Sequence, residues 1–160
     1  MYGVKDIELT GYLKLKHIEL ELKEQEKPAV IEELVDLIAE SGAVKNKKAL
    51  LAAIIERERL GSTAIGNGVA MPHVRIDGVT EALLAFGRSV HGVDFNSLDG
   101  EKTHIFFIFI SPKDDVEGHL KILAKISRLV KDKFNVSLLK KAKNKKEIVD
   151  IIAHIEKQTR

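Results

Sequence analysis

The chain has no cysteine and no tryptophan. Disulfides, thiolate catalysis and cysteine-ligated metal are thereby excluded, and the staple of small secreted folds is missing, which agrees with a reducing compartment. No apolar stretch is long enough to cross a bilayer, and the opening MYGVKDIELT lacks the basic-then-apolar layout of a secretory signal. A cytoplasmic location is expected. Charge of one sign is lacking too: 26 basic and 24 acidic residues are interleaved and leave a formal net charge of +2. Such a surface is solvated rather than shaped for a polyanion, and no nucleic-acid partner is expected. The seven lysines between Lys131 and Lys146 are the one local excess, of the kind that solvates a helix face. Motifs are absent as well. There is no H-E-x-x-H and no G-x-x-x-x-G-K-[ST], and Gly66-Asn67-Gly68 lacks the third glycine of a dinucleotide fingerprint, so zinc and nucleotide chemistry are not expected.

What the 160 residues do contain, at 44% hydrophobic and 31% charged, is enough apolar material for one globular core. Ile18, Leu20 and Leu22 alternate with charged residues and predict an early strand. Pro28 then opens a helix carrying Val30, Ile31, Leu34, Val35, Leu37 and Ile38, which Gly42 ends. A second helix from about Asn46 places Leu50, Leu51, Ile54, Ile55 and Leu60 on one stripe, with Glu56, Arg57, Glu58 and Arg59 on its polar face. The middle changes character: GSTAIGNGVAMPHVR is rich in small residues, ALLAFGRSV and THIFFIFI suit buried strands, and HGVDFNSLDGE between them is a loop with turns. Helices resume at about Glu117, with Leu120, Leu123, Ile126, Leu129 and Val130 on one face, and from about Lys145 to Lys157, with Ile148, Ile151, Ile152 and Ile155 buried. Helices flanking hydrophobic strands predict an α/β layer sandwich with the sheet covered on both faces.

Histidine is the versatile group that remains, because neutral imidazole is a good nucleophile near neutral pH. His73 follows Pro72 in GVAMPHVR, and two readings stay open: a nucleophile aimed by local rigidity, or a strand-end histidine bonded to a neighbouring carbonyl. His119, near a helix start, reads either as a site residue or as a core-edge histidine. Arg57 reads as a guanidinium for an anion or as an exposed charge paired with Glu56 or Glu58. His17, His91, His104 and His154 fall on charged, turn or strand-edge positions and receive no role.

ERERLGSTAIGNGVAMPHVR, then HGVDFNSLDG, IFFIFISP and GHLKILAKISRL, in that order and spacing, closely resemble the type-2 IIA domain of the bacterial sugar phosphotransferase system. The likeness runs from about Leu9 to Ile155, places that domain at 9–156, and is greatest to the nitrogen-regulatory and fructose members. It implies a mixed sheet of four or five strands with helices on both faces. It also implies that His73 is phosphorylated through Nε2, that His119 is the second histidine of the site and that Arg57 is the family's arginine. The donor implied is the phosphorylated histidine-containing phosphocarrier protein, and the acceptor a cysteine or histidine of a IIB domain; no metal or organic cofactor is implied. The alternative within the family is a regulator whose phosphorylation state controls partner proteins. Val74 departs from the family pattern, which places a small residue, often glycine, after Pro-His; a β-branched side chain there disfavours positive φ.

Overall fold

The computed structural model describes residues 8–158. A 3₁₀ turn at Leu9–Gly11 leads into β1 (Leu13–Glu19), α1 (Lys27–Ala39) and α2 (Lys47–Arg59). Three short strands follow, β2 (Ala64–Gly66), β3 (Val69–Ala70) and β4 (His73–Ile76), and then two long ones, β5 (Leu83–Val93) and β6 (Thr103–Pro112). The chain closes with α3 (Val116–Lys131), α4 (Lys133–Lys141) and α5 (Lys145–Gln158).

The expected α/β sandwich is what forms, with six strands rather than four or five, in the order β1-β5-β6-β3-β2. The difference comes from the small-residue segment, which breaks into three short pieces instead of one. β3 runs parallel to the start of β6 and β4 runs parallel to its end, so both lie along one edge of the same strand. β5 pairs antiparallel with β6, and β1 pairs parallel with β5.

β6 is buried without interruption from Ile105 to Ser111, because both faces of the sheet are covered. Alternate residues serve opposite layers. Leu84, Phe86, Ile105, Phe107 and Phe109 pack under α3, α4 and α5. Leu83, Ala85, Phe106, Ile108 and Ile110 pack under α1 and α2. Edge-to-face aromatic pairs lock each layer, Phe86 on Phe107 at 5.4 Å and Phe95 on Phe106 at 5.2 Å between centroids.

Several sequence-based expectations are corrected. The first strand lies earlier than the alternation of Ile18, Leu20 and Leu22 indicates: β1 ends at Glu19, although the Leu22 amide still donates to the Arg88 carbonyl at 2.8 Å. His17 is not a surface group but fully buried, and its ring nitrogens make no hydrogen bond among the described residues. Leu60 lies beyond α2 and is exposed, and Leu120 is 59% exposed; His119, Ile122, Ile126, Leu129 and Val130 form the buried face of α3. The lysine-rich segment folds into α4, which buries Val136 and Leu139.

Truncating Phe107, fully buried at the centre of the sheet, should cost about 3–5 kcal/mol in urea unfolding of Phe107→Ala. A loss below about 1 kcal/mol would contradict the close packing of that layer.

Candidate functional site

The short strand β4 carries the first candidate. Pro72 precedes it, the Pro72 carbonyl accepts from the Phe109 amide at 3.0 Å, and the register sets His73 beside Phe109 and Arg75 beside Ser111. Because side chains alternate along a strand, His73 and Arg75 share one face of β4. Val74 takes regular strand geometry, with no positive φ, and packs against the α1–α2 layer. The valine therefore fits where it stands, and the backbone does not need glycine.

His73 Nδ1 lies 2.7 Å from the Met71 carbonyl oxygen. A carbonyl can only accept, so in the neutral ring the proton sits on Nδ1 and the lone pair on Nε2. The structure shows the carbonyl bond of the second reading, and that bond leaves Nε2 the unprotonated nitrogen that the first reading would require. Burial pushes its pKa below the ordinary 6.5; the Met71 bond opposes this, and the Arg57 guanidinium reinforces it.

His119 reaches the same place from α3. Asp115 caps α3 by accepting from the Gly118 amide at 3.1 Å, and a Cβ at Gly118 would come within 2.6 Å of that carboxylate. Glycine at 118 thus permits the tight first turn that delivers His119. The ring of His119 sits 5.0 Å from that of Phe109 and 5.7 Å from that of His73, and its Nδ1 lies 2.5 Å from Ser111 Oγ. Burial, then the nearby His73 and Arg75, lower its pKa to about 4.

Arg57, in the last turn of α2, donates to the Gly61 carbonyl at 3.0 Å and pairs with neither Glu56 nor Glu58. Glu56 is held by Arg59 at 3.2 Å. Glu58 is buried, bonded to Lys27 Nζ at 3.0 Å, to the Thr63 amide at 3.1 Å and to the Thr63 hydroxyl. Thr63 in turn offers its carbonyl to the Met71 amide at 3.0 Å, so the turn after α2 is tied to the segment that carries His73.

Of the three residues singled out in the sequence, His73 and His119 lie side by side, and Arg57 is linked to them through the influence of its charge on His73. Arg75, Ser111, Phe109 and Glu58 were not singled out. Arg75 could have been found from its two-residue spacing to His73, and Ser111 from being the polar end of an otherwise apolar strand. His104, bonded to the Ser89 carbonyl at 2.9 Å, belongs to the opposite end of β6. Among the described residues no group of histidines and carboxylates could hold a metal ion.

The family profile described as "Phosphoenolpyruvate-dependent sugar phosphotransferase system, EIIA 2" matches residues 11–155. The fructose-specific EIIA component of Haloferax volcanii is 34% identical over 95% of this chain and 97% of its own length. The fructose-specific EIIABC component of Bacillus subtilis is also 34% identical, over 94% of this chain, which spans 24% of that longer protein. In structure, the nitrogen regulatory protein IIA-Ntr of Neisseria meningitidis superposes with a TM-score of 0.85 at 31% identity, covering 89% of this chain and 97% of its own.

In an NMR titration of the histidine rings, His73 should show a midpoint below 6.5 and His119 one near 4. Both folded-state values lie below those of the unfolded chain, so the unfolded chain takes up protons first and stability should fall as pH drops from about 6.5 towards 4. A His73 midpoint at or above 6.5 would contradict the neutral ring.

Proposed function

Because this chain belongs to the EIIA 2 family of the phosphoenolpyruvate-dependent sugar phosphotransferase system, we propose that its 9–156 domain is a cytoplasmic phosphocarrier. His73 accepts a phosphoryl group from the phosphorylated histidine-containing phosphocarrier protein and passes it to a IIB domain. The bond between His73 Nδ1 and the Met71 carbonyl carries this reading, because it leaves the Nε2 lone pair for phosphorus.

Burial and the Arg57 charge keep the attacking ring unprotonated. As the Nε2–P bond forms, the bond from phosphorus to the donor's nitrogen breaks and its electron pair returns to the donor imidazole. The reaction asks mainly for positioning and charge stabilisation, since the transition state is loose and roughly in line. Once the group is attached, the cation that made His73 less basic attracts a dianion instead, and a guanidinium can bind it through paired hydrogen bonds. His119 supplies a donor from α3. No metal or organic cofactor enters the scheme.

A regulatory role, in which phosphorylation of the same histidine controls partner proteins, is the second reading. The likeness to the nitrogen regulatory protein of Neisseria meningitidis favours it. Labelled phosphoenolpyruvate with the general phosphotransferase proteins and candidate IIB domains separates the two: label on a IIB domain supports transport, and label retained on this chain supports regulation.

His73→Gln should abolish acid-labile phosphorylation while the fold survives; undiminished label in that variant would end the proposal. Arg57→Lys keeps the charge but loses the paired geometry, and single-turnover loading should slow by roughly tenfold. Removing one charge-assisted hydrogen bond, worth about 1.5–3 kcal/mol, should slow delivery from His119→Ala by roughly ten- to a hundredfold, with loading less affected. Delivery at the wild-type rate would return His119 to a structural role.

A further inference from the structure

His73 and His119 lie side by side, and what bonds to each Nδ1 decides what the other ring nitrogen can do. For His73 the partner is a carbonyl. For His119 it is the Ser111 hydroxyl, fully buried at the end of β6. This is the one hydrogen bond that the Ser111 side chain makes among the described residues. A hydroxyl has one proton to give and lone pairs to receive with. Were His119 to carry its proton on Nδ1 and donate to Oγ, the hydroxyl proton would be left without an acceptor in a closed interior. Native structures seldom leave buried groups in that condition. With the hydroxyl donating, its proton and the Nδ1 lone pair are satisfied by a single bond. The neutral imidazole must then carry its own proton on Nε2.

We propose that Ser111 is a positioning residue that holds His119 as the Nε2–H tautomer, so that His119 offers a hydrogen-bond donor to the phosphoryl group on His73 and cannot itself accept that group. The assignment rests on the phosphocarrier reading above for its consequence, though not for its hydrogen-bond geometry. It separates two neighbouring histidines by role. His73, bonded to an obligate acceptor, exposes a lone pair; His119, bonded to a donor, exposes an N–H. The nitrogen lone pair remaining at a protonated Nε2 belongs to the aromatic ring and is not available to phosphorus. Phe109 beneath the His119 ring and the register that sets Ser111 beside Arg75 keep the hydroxyl at this point in the site.

The test compares Ser111→Ala with the pair Ser111→Thr and Ser111→Val, which match each other in shape and differ in the hydroxyl. The readouts are the ring nitrogen resonances of His119 and the single-turnover rate of delivery to a IIB domain. Wild type and Ser111→Thr should show the proton on Nε2. Ser111→Ala and Ser111→Val should shift population to Nδ1–H and deliver roughly three- to tenfold more slowly, with loading closer to wild type. An unchanged Nε2–H tautomer in Ser111→Ala, or equal behaviour of the threonine and valine variants, would overturn the assignment. A tautomer that shifts as stated in a chain that never becomes phosphorylated would leave the hydrogen-bond assignment standing and sink the phosphocarrier reading.

Discussion

The pairing of β4 with the end of β6 is the constraint on which the candidate site hangs, for it fixes two side chains of one strand against two of the other in a single step. His73 lies beside Phe109 and Arg75 beside Ser111, all four within reach of the first turn of α3. β6 has its place because it is buried on both faces, so a shift of one residue would turn its aromatic layer towards the wrong helices. The same packing that excludes water from the core thus sets the register of the His73 ring. Precision at His73 comes from the interior of the sheet, although the residue stands at its edge.

Electrostatics follows from that placement. Two imidazoles share a site influenced by Arg57 and Arg75. Adding a proton to either ring would set like charges together in a half-dry environment, which favours the neutral form of each. An anion reverses the sign of the charge–charge contributions, while desolvation still disfavours any charge. In the proposed reaction, groups that repel a proton beforehand attract the phosphoryl group. This is what preorganised charge stabilisation requires.

Helices α1, α2 and α5 are legible in the sequence from their apolar residues and the proline and glycines that bound the first two, as is the change to sheet in the middle. At α3 the apolar pattern points to Leu120 as core and leaves His119 at its edge. In the fold the buried stripe runs His119, Ile122, Ile126, and Leu120 falls outside it. α4 is concealed in the sequence because it buries only Val136 and Leu139 among its lysines. His73, His119 and Arg57 could be selected, since their surroundings match a known family, and periodicity alone left each with a second reading. Ser111 shows in sequence as the polar end of an apolar strand without its partner His119, and Glu58 could not be selected, because its importance depends on Lys27 and Thr63, which meet it only in the fold.

Glu58 makes that last point concrete. It is next to Arg57 in sequence, and an exposed carboxylate there would be free to satisfy the guanidinium and cancel its charge at the site. Instead it is drawn inward by Lys27 from α1 and by the Thr63 amide and hydroxyl, and its charge is the weakest of the influences on His73. Lys27 in turn lies 4.5 Å above the Phe95 ring, which belongs to the core of that layer. A buried ion pair of this kind adds little net stability, because desolvation offsets most of the attraction. Its consequence is directional: with Glu58 committed to the interior, consecutive residues of one helix turn face opposite tasks, and Arg57 is left as a cation whose side chain bonds only a backbone carbonyl among the described residues.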